Sequence, residues 1–173
     1  MNLAATIAYG LVLLSLQSAG MFPLTWGALS ADLALCLVVH LALTRDLPNG
    51  GVSAAAIGYM TDLAAGAPPG LHVVAYVAIF LTGLSVRSQV FITSAPMIAA
   101  AILVASLMVT VVTFFLAAIF VPDYTLYMPF LLYAFPRAVL TVPFIFPVRA
   151  LALRIDRRTI RRSPALFVRS DAL

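Results

Sequence analysis

Asp62 is the first residue from which chemistry can be argued. It is the one carboxylate in the stretch 51–72, GVSAAAIGYMTDLAAGAPPGLH, which otherwise carries no formal charge and is rich in small side chains. If that stretch is helical, Gly51, Ala55, Gly58, Asp62 and Gly66 recur at steps of three or four residues and share a stripe, the kind along which membrane helices touch. Asp32 and Arg137 are the other charges set among apolar residues, joined by His40, His72 and the single Cys36. Such an acid and arginine can form a proton or ion relay, hold a substrate of opposite charge, or clamp two helices. One cysteine allows neither an intramolecular disulfide nor a thiolate metal cluster, and within an apolar run it reads as an inert thiol.

Composition decides the surroundings of these groups. The chain has 173 residues, 64% hydrophobic and 9% charged, with a mean hydropathy of +1.11. Soluble domains carry roughly 25% charged residues, so the expectation is an all-α, polytopic integral membrane protein. Turn and breaker residues divide it into six spans at about 3–21, 31–44, 51–67, 72–85, 96–121 and 128–153, forming one transmembrane domain over 1–153. The first is expected to be a retained span, because no positively charged segment precedes it as in a signal peptide. Pro68, Pro69 and Gly70 end the third span. Pro136 and Pro143, with Pro129 before them and Pro147 after, should kink the sixth, since each interior proline removes a helical hydrogen bond. Trp26, Tyr124, Tyr127 and Tyr133 suit an interfacial aromatic belt.

Charge gives the orientation. The net charge of +4 is concentrated at the end, where Arg149, Arg154, Arg157, Arg158, Arg161, Arg162 and Arg169 outnumber Asp156 and Asp171. A basic tail over 154–173 directly after an apolar span is the positive-inside pattern, so both termini and the turns holding Arg45 and Arg87 are expected on the cytoplasmic side. Anionic lipid is the natural partner of such a tail, and nucleic acid is not. Measured from the inner ends of their spans, Asp62 and Arg137 stand at similar heights, roughly 16 and 18 Å at 1.5 Å per residue. An Asp62–Arg137 ion pair, with Asp32 as a further member, is therefore expected to neutralise charges that would be costly alone. His40 and His72 fall towards opposite faces, so they should not share a metal and each reads as a hydrogen-bonded helix residue.

Catalytic signatures are missing from the sequence. The sequence has no Gly-x-Ser-x-Gly elbow, His-Glu-x-x-His or phosphate-binding loop, and it contains no Glu. The expectation is a chain without catalytic residues, cofactor or metal.

The order of residues then carries a resemblance. Ala31-Asp32-Leu33 opens a span, a polar arginine turn follows, then come Gly58-Tyr59-Met60-Thr61-Asp62-Leu63-Ala64-Ala65-Gly66 and Pro69-Gly70-Leu71. This resembles the bacterial rod-shape-determining protein MreD family, specifically over about 32–86 and by hydropathy elsewhere. The family usually has Pro where this chain has Ala31, and often a single Pro where it has Pro68 and Pro69. The resemblance implies a multi-pass, non-enzymatic protein of the cell inner membrane. Its place would be in the cell-elongation complex, the elongasome, supporting peptidoglycan synthesis and cell shape beside an MreC-like protein, MreB and the RodA/penicillin-binding-protein synthase. Size and span number are also similar to the substrate-binding subunit of a vitamin-type membrane transporter, the alternative reading.

Overall fold

The second helix is apolar on every side, and the bundle is arranged to cover it. In the computed structural model, which describes residues 3–18, 31–89, 94–120 and 131–161, this helix, α2 (Leu33–Thr44), has all ten residues from Leu33 to Ala42 buried. A helix without a polar face needs neighbours all round. They are α1 (Leu3–Ser18), α3 (Leu47–Ala65), α4 (Leu71–Gln89), α5 (Ala95–Phe120) and α7 (Ile145–Arg161), with α6 (Ala134–Thr141) packed on α5 and joined to α7 by a 3-10 turn at Val142–Phe144. Among the described residues all regular structure is helical. α5, and the path Ala134–Ile155, are long and apolar enough to cross a membrane; Ala5–Gln17, Leu33–Thr44 and Leu71–Arg87 are shorter apolar stretches.

Local sequence explains the boundaries. α2 begins one residue after Asp32, whose carboxylate caps it, and α3 follows after only Arg45 and Asp46. α3 starts four residues earlier than expected because Pro48 falls in its first turn, where the missing N–H is no loss. It ends where Gly66 takes a left-handed conformation at φ 63°, donating its N–H to the Asp62 carbonyl. Gly70, at φ 108°, makes the second such turn before α4.

The third and fourth helices pack backbone against backbone. A Cβ placed on Gly58 would lie 2.7 Å from Val73 Cα and 2.8 Å from the His72 carbonyl oxygen. Two turns earlier, one on Gly50 would lie 2.4 Å from the Phe80 ring. The seam is therefore Gly50, Ala54 and Gly58, and the expected stripe is corrected by one position for its first two members. Gly51 comes no nearer than 3.9 Å to Phe80, Ala55 is half-buried, and Gly66 is a cap with no neighbour within 4 Å. Successive helical residues are turned by about 100°, so Gly51 and Ala55 look past α4 although Gly50 and Ala54 face it.

The proline expectation also changes. Pro136 lies in the first turn of α6, where no hydrogen bond within that helix is due, and it follows a break at Tyr133 that separates α6 from the helical Leu131 and Leu132. Pro143 instead sits inside the 3-10 turn that separates α6 from α7. The helix then runs on to Arg161, so Arg154, Arg157, Arg158 and Arg161 belong to its last turns and not to a separate tail. Pro129, Trp26, Tyr124, Tyr127 and Arg162 lie outside the described residues.

Gly58→Leu is expected to force α3 and α4 apart and lower the thermal midpoint of the detergent-solubilised protein by the equivalent of about 3 kcal/mol, the upper range for overpacking. Gly51→Ala should leave the midpoint unchanged or raise it, since Ala is favoured over Gly in a helix by up to about 1 kcal/mol. Equal effects of the two substitutions would refute the assigned seam.

Candidate functional site: a buried chain of polar side chains

Asp62 is 1% exposed, and both of its oxygens are occupied. Oδ2 accepts the Gly70 N–H at 2.8 Å; Oδ1 accepts the His72 N–H at 2.8 Å and faces His72 Nδ1 at 2.7 Å. The first backbone N–H groups of a helix have no partner within it, and an acid there also meets the positive end of the helix dipole. Asp62 therefore caps α4 from the neighbouring helix. With Asp62 ionised, the Nδ1 contact places a His72 proton on that nitrogen.

Asp32 is the second centre. It is 3% exposed and gathers three donors from three helices: the Leu35 N–H at 2.9 Å, the Tyr76 hydroxyl at 3.1 and 3.2 Å from the two oxygens, and Arg137 Nη2 at 3.3 Å. Its own N–H donates to Thr141 Oγ1 at 3.2 Å, while the Thr141 hydroxyl donates to the Arg137 carbonyl at 2.8 Å. The Cys36 thiol points at the Thr141 carbonyl, 3.7 Å away. The start of α2 is thus tied to α4 through Tyr76 and to α6 through Arg137 and Thr141.

Tyr76 joins the two centres. It is one turn beyond His72 on α4, its ring meeting the imidazole edge-on with centroids 6.0 Å apart. The result is a continuous sequence of polar side chains, Asp62–His72–Tyr76–Asp32–Arg137, through an apolar interior. Each oxygen of both carboxylates accepts at least one hydrogen bond, and through these bonds the two acids tie α2, α3, α4 and α6 together. Among the described residues no three His, Cys, Asp or Glu side chains converge as metal ligands would.

The three expected charges thus take part in one chain, but in different pairs. Arg137 meets Asp32, and Asp62 meets His72, in place of the expected Asp62–Arg137 contact. Equal height on two helices says nothing of which way each side chain faces. α3 packs on α1, α2 and α4, whereas α6 packs on α5. Arg137 also stands farther from the basic end than expected, because the final helix runs on to Arg161; it belongs to the first turn of α6, beside the start of α2. His72 is hydrogen-bonded within its helix pair, and His40 is buried in α2.

Sequence reasoning missed Tyr76, Thr141 and Tyr9. The first two follow His72 and Arg137 by four residues, so each shares a helix face with a residue already singled out. Tyr9 of α1 donates its hydroxyl to the Val148 carbonyl at 3.0 Å, fastening α1 to α7, and no spacing in the sequence marks it. No protein-family model, curated protein or solved structure matches this chain.

Removing one member of a buried ion pair strands the other, so Asp32→Ala and Arg137→Ala should each lose about 3–5 kcal/mol. Their double mutant should be better than additive by more than about 1 kcal/mol, whereas the Asp62/Arg137 cycle should be additive within about 0.5 kcal/mol. Unfolding midpoints of the six proteins, wild type included, measure both couplings. The opposite ranking would restore the Asp62–Arg137 pair.

Proposed function

We propose that this chain is a six-span protein of the bacterial inner membrane that acts without catalysis, as part of the cell-elongation machinery, through contacts with other membrane proteins. The observation that carries this reading is the use made of the residues that resemble MreD. Asp32 caps α2, Gly58 forms the α3–α4 seam, Asp62 clasps α4, and Gly66 and Gly70 make the turns between. Both acids of the motif are engaged in joining helices, which supports an architectural role over a chemical one.

Six crossings agree with the helix order, and among the described residues two helices are both long and apolar enough to cross by themselves. α2, at 12 residues, is roughly 18 Å long against a hydrocarbon core of about 30 Å. Because protein covers it on all sides, its ends can meet polar groups of the bundle and need not reach the membrane surface. In the six-span topology Asp32, Arg137, Asp62 and His72 lie at one end, facing outwards, and Arg45, Arg87 and the basic segment at the other. The spatial grouping of Asp32 with Arg137, and of Arg87 with Asp46 at 3.4 Å, supports that alternation.

Partner contact would use the outward face of α3, since Gly50 and Gly58 are taken up by α4. Val52, Tyr59 and Leu63, at steps of seven and four, are exposed there. This stripe suits the single span of an MreC-like protein, with the RodA/penicillin-binding-protein synthase and MreB as further members of the assembly. The basic segment, from the exposed Arg154 to Arg162, suits anionic lipid. The vitamin-carrier alternative calls for a polar, aromatic-lined outer pocket. The 330 Å³ cavity that is present is walled by aliphatic residues at the arginine-bearing end.

Depletion of the protein in a rod-shaped host tests the proposal. Cells should become round, and wild type should restore rods. Tyr59→Arg with Leu63→Arg should fail to do so while remaining in the membrane at normal abundance. A reporter fused after the last residue should report the cytoplasm. Unchanged rods on depletion would overturn the cellular role, and an external tail would overturn the topology.

A further inference from the structure

At the end opposite the polar chain, α2, α4 and α5 splay around a groove of 330 Å³. Its walls include Leu43, Gly83, Val86, Met97, Ala101 and Val104, and its one hydroxyl, that of Thr82, is engaged by the Ala78 carbonyl at 2.9 Å. The two sides end in charge. Arg45 follows Leu43 by two residues, Arg87 follows Val86 directly, and Ala95, two residues before Met97, begins α5 and presents the positive end of its dipole. Arg87 donates from Nη1 to the Arg45 carbonyl at 3.2 Å and from Nη2 to Asp46 Oδ1 at 3.4 Å, with a third of its side chain exposed. Neither arginine lines the slot itself; with Asp46 the two give its end a net formal charge of +1.

Lining and charge together select the occupant. The walls are aliphatic and the one hydroxyl is already bonded, so the slot offers hydrocarbon contact and no partner for a ligand's polar atoms. A flexible hydrocarbon chain fits the space, and the charged end adds a preference for negative charge. We propose that the groove holds one acyl chain of an anionic phospholipid, whose phosphate lies on Arg45 and Arg87. The site is separate from the basic segment of α7 and rests on the membrane reading given above. The bound lipid would fill the gap between α5 and the α2–α4 pair and so set how α5 leans on the bundle. That would give the protein a dependence on lipid composition.

The test uses the full chain in nanodiscs containing either phosphatidylglycerol or phosphatidylethanolamine, with a diazirine-bearing acyl chain on each lipid. Adducts are mapped by mass spectrometry. In wild type, α5 adducts should concentrate between Met97 and Met108 and be several-fold more abundant with phosphatidylglycerol. Ala101→Phe, which fills the slot, should remove most of them. Arg45→Gln and Arg87→Gln should each reduce the preference for phosphatidylglycerol by about five-fold, the worth of one basic group near the surface, while retaining acyl labelling. Labelling spread evenly to Phe115 and Ile119, a lipid preference indifferent to both arginines, or crosslinks from the groove to a protein would each overturn the proposal. Should Ala101→Phe not fold, the wild-type map and the arginine variants still decide. Release of the chain from membranes by alkaline carbonate would instead overturn the membrane reading itself.

Discussion

A carboxylate inside an apolar bundle has to be met by donors, and this requirement organises the molecule. Burying an unpaired charge costs far more than the few kcal/mol by which a protein of this size is stable. Asp32 can therefore stay buried only where the start of α2, Tyr76 of α4 and Arg137 of α6 come together. Asp62 imposes the same condition on α3 and α4, through two backbone N–H groups and one imidazole. Buried ion pairs are poor evidence of stability, since well-packed apolar residues often serve as well. Their value here is in selection among arrangements. A helix as uniformly apolar as α2 can be rotated about its axis with little change in buried area, and the polar matches at Asp32 remove that freedom.

Small residues and polar residues perform complementary tasks in this scheme. Gly58 brings the α3 backbone onto that of α4 at His72 and Val73, and that approach places the imidazole against Asp62. At the opposite end Gly83 allows α4 to approach Ala42 of α2, where an added Cβ would stand 2.8 Å away. α5 is not drawn in to the same degree, and the groove beside it results.

Much of this was legible in the residues themselves. Helical class, the turn at Pro68–Gly70 and the singularity of Asp62 all follow from composition and local chemistry. Pairing did not follow, because height along a helix can be read from residue number but facing depends on neighbours that the sequence does not name. The glycine stripe erred for the same reason: Gly50 and Gly51 are adjacent in the chain and differ by about 100° in direction. Pro136 and Pro143 look alike in sequence. Only the positions of the helix ends put one of them just after the break at Tyr133 and the other within a 3-10 turn.

The two acids differ most in how far along the chain their partners lie. Those of Asp62 are eight and ten residues away, whereas Arg137 is 105 residues from Asp32. Closing the longer loop costs about 2 kcal/mol more in chain entropy. On a nascent polypeptide emerging from its N-terminal end, Asp62 is sheltered as soon as the next helix has been made. Asp32 must wait until four-fifths of the protein exists, and until then Tyr76 and the first turn of α2 are its company.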